Sequence, residues 1–183
     1  HHFGPSIEYL AADLPGNPAA NVMISDDGTV PIDDSSVDIV VSTQVLEHVD
    51  DPATYLGECH RVLRAGGQLL LSTHGFMVYH PDPVDFWRWT SAGLHEIVGR
   101  AGFDVVHFEG IMGLTATGLH FVQEGLASRL TPRPRRLLTF VMQSLIGSVD
   151  RHERVESRDC NALVFAVIAR KPGSPRDSAA RIS

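Results

Sequence analysis

The sequence predicts an α/β fold with a doubly wound, mostly parallel sheet, and three observations predict it. Short apolar runs alternate with helical or turn-rich segments along the first two-thirds of the chain, a rhythm of strand–helix–strand units rather than of a sandwich. Two of the runs, Val37 to Thr43 (VDIVVST) and Gly67 to Thr73 (GQLLLST), are nearly continuous in apolar residues, as strands buried on both faces are. The segment between them carries the start and stop signals of a helix, so the three together read as a crossover unit.

That helix spans Pro52 to Leu63. Asp51 is its N-cap, Pro52 stands at the first helical position and Gly66-Gly67 follows its end. Ala53, Leu56, Cys59 or His60, and Leu63 recur at helical spacing and give it one face to lay on the sheet. Upstream, Ile7 to Asp13 reads as a strand ending on a carboxylate and Asn21 to Ser25 as a short second strand. Downstream, Ser91 to Ala101 is a helix stopped at Gly102, Phe103 to Phe108 a fifth strand and Ala162 to Ala169 a sixth. Between these last two the rhythm breaks. Leu119 to Leu130 and Arg135 to Val149 are helical patterns hinged at Thr131-Pro132-Arg133-Pro134, so about 114–150 is expected to be a helical insertion before the last strand. Residues 172–183, rich in Pro, Ser, Gly and charge, are expected to be a disordered tail.

Composition narrows the function. With 183 residues, 43% hydrophobic and 20% charged, the chain supports one globular domain over 1–171. Its formal charge of −7 argues against a general nucleic-acid binder, because phosphate neutralisation needs surplus Lys and Arg. Cys59 and Cys160 form no CxxC and no zinc-ligand spacing, so a reduced, cytoplasmic setting is expected.

Three stretches together resemble the class I S-adenosylmethionine (SAM)-dependent methyltransferases, in a branch of type 11-like domains. The first is a strand ending in Asp13-Leu14. The second runs from Asp26-Asp27-Gly28-Thr29-Val30-Pro31-Ile32 to Ser36-Val37-Asp38-Ile39-Val40. The third is Gln44-Val45-Leu46-Glu47-His48-Val49 with the later Arg61-Val62-Leu63-Arg64-Ala65-Gly66-Gly67-Gln68-Leu69. The resemblance covers about Tyr9 to Phe108 and implies a Rossmann-like sheet, SAM as cofactor and methyl transfer as the activity. It implies that Asp13 accepts from the cofactor's ribose hydroxyls, that Asp26 accepts from the adenine amino group, and that Asp27 offers a backbone N–H to the ring. The resemblance also implies that Leu14, Thr43, Gln44 and His48 line the same site. In an open parallel sheet, ligands bind outside the carboxyl ends of the strands, and an acid at a strand end suits a ribose diol. The family's D-x-G-x-G-x-G loop, which receives the cofactor's amino-acid portion, is absent from these residues. The chain is therefore expected to begin inside a longer protein, N-terminally truncated, and to bind cofactor poorly as residues 1–183 alone.

The segment His74 to Thr90 starts at a strand's carboxyl end and holds both tryptophans, with two prolines stiffening it. Tyr79, His80, Asp85, Trp87 and Arg88 are its candidate substrate-binding residues, since recognition residues concentrate on loops carried by rigid scaffolds. The competing reading is structural: Asp85 and Arg88 pair to fix the loop and Thr90 or Ser91 caps the next helix. His74, His80 and Asp82 are the candidate bases for an acceptor's proton. His80-x-Asp82-x-x-Asp85 offers hard-cation ligands, but no metal site is expected from so sparse a set. The acceptor is read as a small molecule or a sugar or glycan; a non-catalytic, degenerate Rossmann-like binding module is the alternative. Arg133, Arg135 and Arg136 ahead of an apolar helix suit a peripheral membrane contact through 133–149 or a homodimer contact.

Overall fold

The computed structural model describes residues 7–81 and 84–173. The element order is β1 (Ala12–Asp13), β2 (Val22–Met23), β3 (Val37–Thr43), a 3₁₀ turn (Leu46–His48), α1 (Pro52–Val62), β4 (Leu63–His74), α2 (Ser91–Arg100), β5 (Asp104–Gly113), α3 (Leu114–Ala127), α4 (Pro132–His152), α5 (Val155–Cys160) and β6 (Ala162–Arg170).

Four strands form the main sheet in the order β3-β4-β6-β5. β3 and β4 are parallel, while β6 runs antiparallel to both β4 and β5, so three of the four strands share a direction. The fold is mixed α/β and mostly parallel. Pairing of Thr43 with Ser72 brings the carboxyl end of β3 beside that of β4, with His74 two residues further on. Helix α1 forms where Asp51 accepts from the N–H groups of Ala53 and Thr54, and its buried Leu56, Cys59 and Val62 pack on the sheet. Leu94 and Val98 of α2 join them over Leu69, Leu71, Phe165 and Val167. Burial pushes the Cys59 thiol up to about 12, which leaves it an inert apolar filler.

β1 and β2 form a separate parallel pair. The expected strand over 7–13 is confined to Ala12–Asp13, because an extended segment needs a hydrogen-bonding neighbour along its length and β1 has only β2 among the described residues. Ile7, Tyr9 and Leu10 stay exposed. On β3, Ile39 and Val41 are 54% and 57% exposed, whereas the same strand's Ser42 is buried. The pair β1–β2 is tethered to the main sheet's layer through Arg61 of α1, which donates to the carbonyls of Val30 and Ile32 and to Asp34.

The segment after β5 departs from expectation at its ends. α3 starts at Leu114 rather than 119, because Asp150 and Glu153 near the end of α4 accept from the N–H groups of Gly113 and Leu114. A further short helix, α5, precedes β6. No helix among the described residues is long and apolar enough to cross a membrane.

Candidate functional site

The carboxyl ends of β3 and β4 converge on a buried carboxylate. β3 ends at Thr43, and Gln44 takes a left-handed backbone (φ 55°) while its N–H donates to the Ser72 carbonyl and its side-chain amide to the Ser72 hydroxyl. A non-glycine residue holds this conformation only where its surroundings enforce it, commonly beside a site. The turn that follows buries Leu46 and Glu47 completely. Glu47 accepts from the Thr73 hydroxyl at 2.8 Å, and its other oxygen lies 3.1 Å from His74 Nε2.

Three imidazoles meet above this carboxylate. The ring centroids of His48, His74 and His80 lie 6.0–6.3 Å apart pairwise. His74 is buried at 2% exposure, His48 is half-buried and His80 is exposed, so the trio runs from floor to rim. His48 Nδ1 donates to the Val84 carbonyl at 2.6 Å, which assigns its tautomer. Burial pushes the His74 imidazole below its ordinary range; Glu47 and Asp85 oppose that shift, and Arg88 and His48 reinforce it. His74 Nδ1, Glu47 Oε1 and Trp89 Nε1 are buried without a hydrogen-bond partner. Orphans of this kind are rare in folded proteins.

The segment over 84–90 folds back onto the 3₁₀ turn. The backbone N–H of Phe86 donates to the Glu47 carbonyl, and the Trp87 indole donates to that of Val49. Asp85 and Arg88 form a two-pronged pair at 2.5 Å for each prong, and the guanidinium reaches the carbonyls of Met77, Val78 and Trp87 as well. The Arg88 guanidinium holds the Asp85 carboxyl down to about 2. Thr90 caps α2 by accepting from Gly93. Asp85 and Arg88 thus use their polar groups on the loop itself, which is the structural reading of this segment. Tyr79 and Trp87 are exposed on the same loop. Asp82 lies outside the described residues.

Of the expected cofactor residues, Thr43, Gln44 and His48 are brought to the His74 cluster. Asp13, Leu14, Asp26 and Asp27 stand on the separate β1–β2 unit, all but Asp26 with described contacts of their own. Asp13 accepts from the Leu14 N–H and the Asn17 amide, and these hydrogen bonds hold its carboxyl below the ordinary range. Asp27 accepts from the Thr29 N–H within a turn whose Gly28 faces Thr54 of α1. No group of three or more His, Cys, Asp or Glu among the described residues is arranged to hold a metal ion.

The residue that sequence reasoning missed is Glu47 as the partner of His74. Its signal was slight: one carboxylate among Val45, Leu46 and Val49, next to His48 and just after a strand.

In open α/β sheets ligands bind outside the carboxyl ends of the strands, which is where the His74 cluster lies. Residues 5–71 match the family model described as a methyltransferase domain. A Mycolicibacterium smegmatis protein named "probable S-adenosylmethionine-dependent methyltransferase" is 40% identical over 82 residues, 42% of this chain and 32% of that protein. A Mycobacterium tuberculosis protein of the same description is 42% identical over 64 residues, 35% of this chain and 23% of that protein. The ubiquinone biosynthesis O-methyltransferase of Cereibacter sphaeroides is 30% identical over 97 residues, 41% of this chain and 37% of that protein. A SAM-dependent methyltransferase structure from Mesorhizobium loti aligns with TM-score 0.47 and 18% identity, covering 76% of this chain and 63% of the other. The chain spans about a quarter to a third of the length of the first two relatives.

Proposed function

We propose that the chain is part of a SAM-dependent methyltransferase that moves a methyl group to a hydroxyl of a small molecule or of a sugar in a glycan, in a reduced cytoplasmic setting that suits its two unpaired cysteines. The carrying observation is the His74–Glu47 pair at the carboxyl end of β4, buried beside two further imidazoles, within a chain whose residues 5–71 match a methyltransferase domain. A relative named as an O-methyltransferase supports the hydroxyl acceptor. Relatives named as methyltransferases favour an enzyme over a degenerate binding module.

The described residues fit the adenosyl half of the cofactor. Asp13 is an exposed, ionised acceptor at a strand end, suited to two ribose hydroxyls, and Asp26 and Asp27, after the next strand end, would serve the adenine as acceptor and backbone donor. Leu14, Thr43, Gln44 and His48 would line the remainder. When bound, SAM supplies a sulfonium methyl already activated for transfer.

The protein's own contribution is orientation and a proton acceptor. His74 is neutral near pH 7 because burial opposes its charge, so a ring nitrogen is free to take a proton. With Nε2 on the Glu47 side of the ring, 3.1 Å from the carboxylate, the nitrogen assigned as base is Nδ1, which is buried without a partner. Glu47 then faces the imidazolium and stabilises it. His80 and Tyr79, with Trp87, stand at the exposed rim where an acceptor arrives, while Asp85 and Arg88 hold their loop in place. Transfer of labelled methyl from SAM to a panel of phenols and sugars, with full-length protein, tests this. His74→Gln is expected to lower transfer about 100-fold or more with cofactor affinity unchanged. Undiminished transfer would remove His74 from the chemistry.

A further inference from the structure

We propose that the tip of the α3–α4 hairpin docks onto an anionic phospholipid bilayer. The charge pattern is local and unlike the rest of the chain. Between Glu124 and Asp150 stand four arginines, Arg129, Arg133, Arg135 and Arg136, and no Asp or Glu, in a chain whose acidic residues outnumber its basic ones by 22 to 15. All four lie at or beside the turn that joins the two helices.

The same tip carries apolar side chains that no other element among the described residues covers. Leu137 and Phe140 are 66% and 73% exposed, and Leu126, Leu130 and Val141 are exposed beside them. Along α4, Leu137, Phe140, Val141 and Leu145 fall at i, i+3, i+4 and i+8, so they form one stripe. The opposite face already has its partner: Ile146 is buried, and the Gln143 amide donates to Gln123 of α3. The stripe is therefore surplus to the packing of the hairpin. A shallow groove of about 470 Å³ at the tip joins both chemistries, with Arg135 and Arg136 beside Leu130, Pro132 and Phe140.

Apolar side chains flanked by arginines match the boundary of an anionic bilayer, where the rings and aliphatic chains enter the acyl region and guanidinium groups meet lipid phosphates. A second copy of the chain is the weaker occupant. A twofold contact through this tip sets the arginine cluster of one protomer against the same cluster of the other. A nucleic acid would pair with the arginines and leave Leu137 and Phe140 without a partner. This inference stands independently of the methyl-transfer reading.

The test is sedimentation of the full chain with vesicles of phosphatidylcholine alone and of phosphatidylcholine with about 30% phosphatidylglycerol, at about 0.1 M salt. Binding to the anionic vesicles only, weakening as salt rises, is expected. Reversing two charges in Arg135→Glu/Arg136→Glu should weaken it at least about twenty-five-fold, taking roughly fivefold for each arginine near the surface. Phe140→Asp should abolish it, with the melting temperature of both variants unchanged because the positions are exposed. No binding to anionic vesicles would overturn the proposal, as would binding that both variants retain. A concentration-dependent dimer that Phe140→Asp abolishes, in a protein that ignores vesicles, would assign the face to a second copy instead.

Discussion

His74 Nε2 lies 3.1 Å from Glu47 Oε1, with both side chains sealed from solvent and Thr73 donating to the far oxygen of the carboxylate. The two residues are 27 positions apart, and the register of β3 on β4 brings them together. Burial disfavours the His74 imidazolium and the Glu47 carboxylate opposes that effect.

Glu47→Gln removes the strongest influence holding the His74 proton affinity up, so the imidazole should titrate at lower pH in the variant than in wild type. Resonance of the His74 ring protons followed against pH reads this directly. An unchanged titration would show that Glu47 does not govern His74.

The same pair makes stability depend on pH. His74 titrates lower in the folded chain than its ordinary value of 6.5. The unfolded chain therefore takes up the proton first as pH falls, so His74's contribution to stability is complete above about pH 6.5 and is lost as pH falls toward the folded value. Wild type should lose melting temperature through this window, and His74→Gln should lose less. Parallel curves would contradict the assignment.

A second pH window belongs to the Asp85–Arg88 pair. Asp85 is held down to about 2, so its contribution is complete above about pH 4 and is lost as pH falls toward 2. Asp85→Asn should cost about 1.5–3 kcal/mol at pH 7, as expected for hydrogen bonds to a charged group, and should flatten the acid limb of the melting curve. Chemical denaturation at pH 7 and pH 3 measures both effects.

Gly75, the residue after His74, is a steric requirement. A Cβ there would stand 2.3 Å from the Ala162 carbonyl and 2.9 Å from the Phe165 ring, both on the neighbouring β6. Backbone cannot yield as a side-chain tip does, so Gly75→Ala should destabilise by about 1–3 kcal/mol or more. Gly57→Ala, where nothing lies within 4 Å of the added atom, is the matched control and should be neutral or stabilising in its helix.

What was legible in the sequence was local. β3 appears at its expected bounds because seven residues of apolar pattern lie between polar flanks, and α1 follows from Asp51 and Pro52, whose chemistry acts within one turn. The pairing of Asp85 with Arg88 was legible for the same reason, being three residues apart. What escaped was long-range. Ile7 to Leu10 carry a strand's residues without a strand's neighbours. His48, His74 and His80 come from a turn, a strand end and a loop, and no spacing announces that they meet. Glu47 escaped because its neighbours along the chain say nothing of Thr73 and His74.

Calorimetric titration of SAM into the full-length protein, wild type beside Asp13→Ala, tests most directly whether the strand-end acids serve a methyl-transfer site. Loss of a charged acceptor for two hydroxyls should weaken binding about tenfold or more, while His74→Gln binds as wild type does. Equal affinity in wild type and Asp13→Ala, or no SAM binding by the full-length protein, would contradict the assignment of this site to SAM.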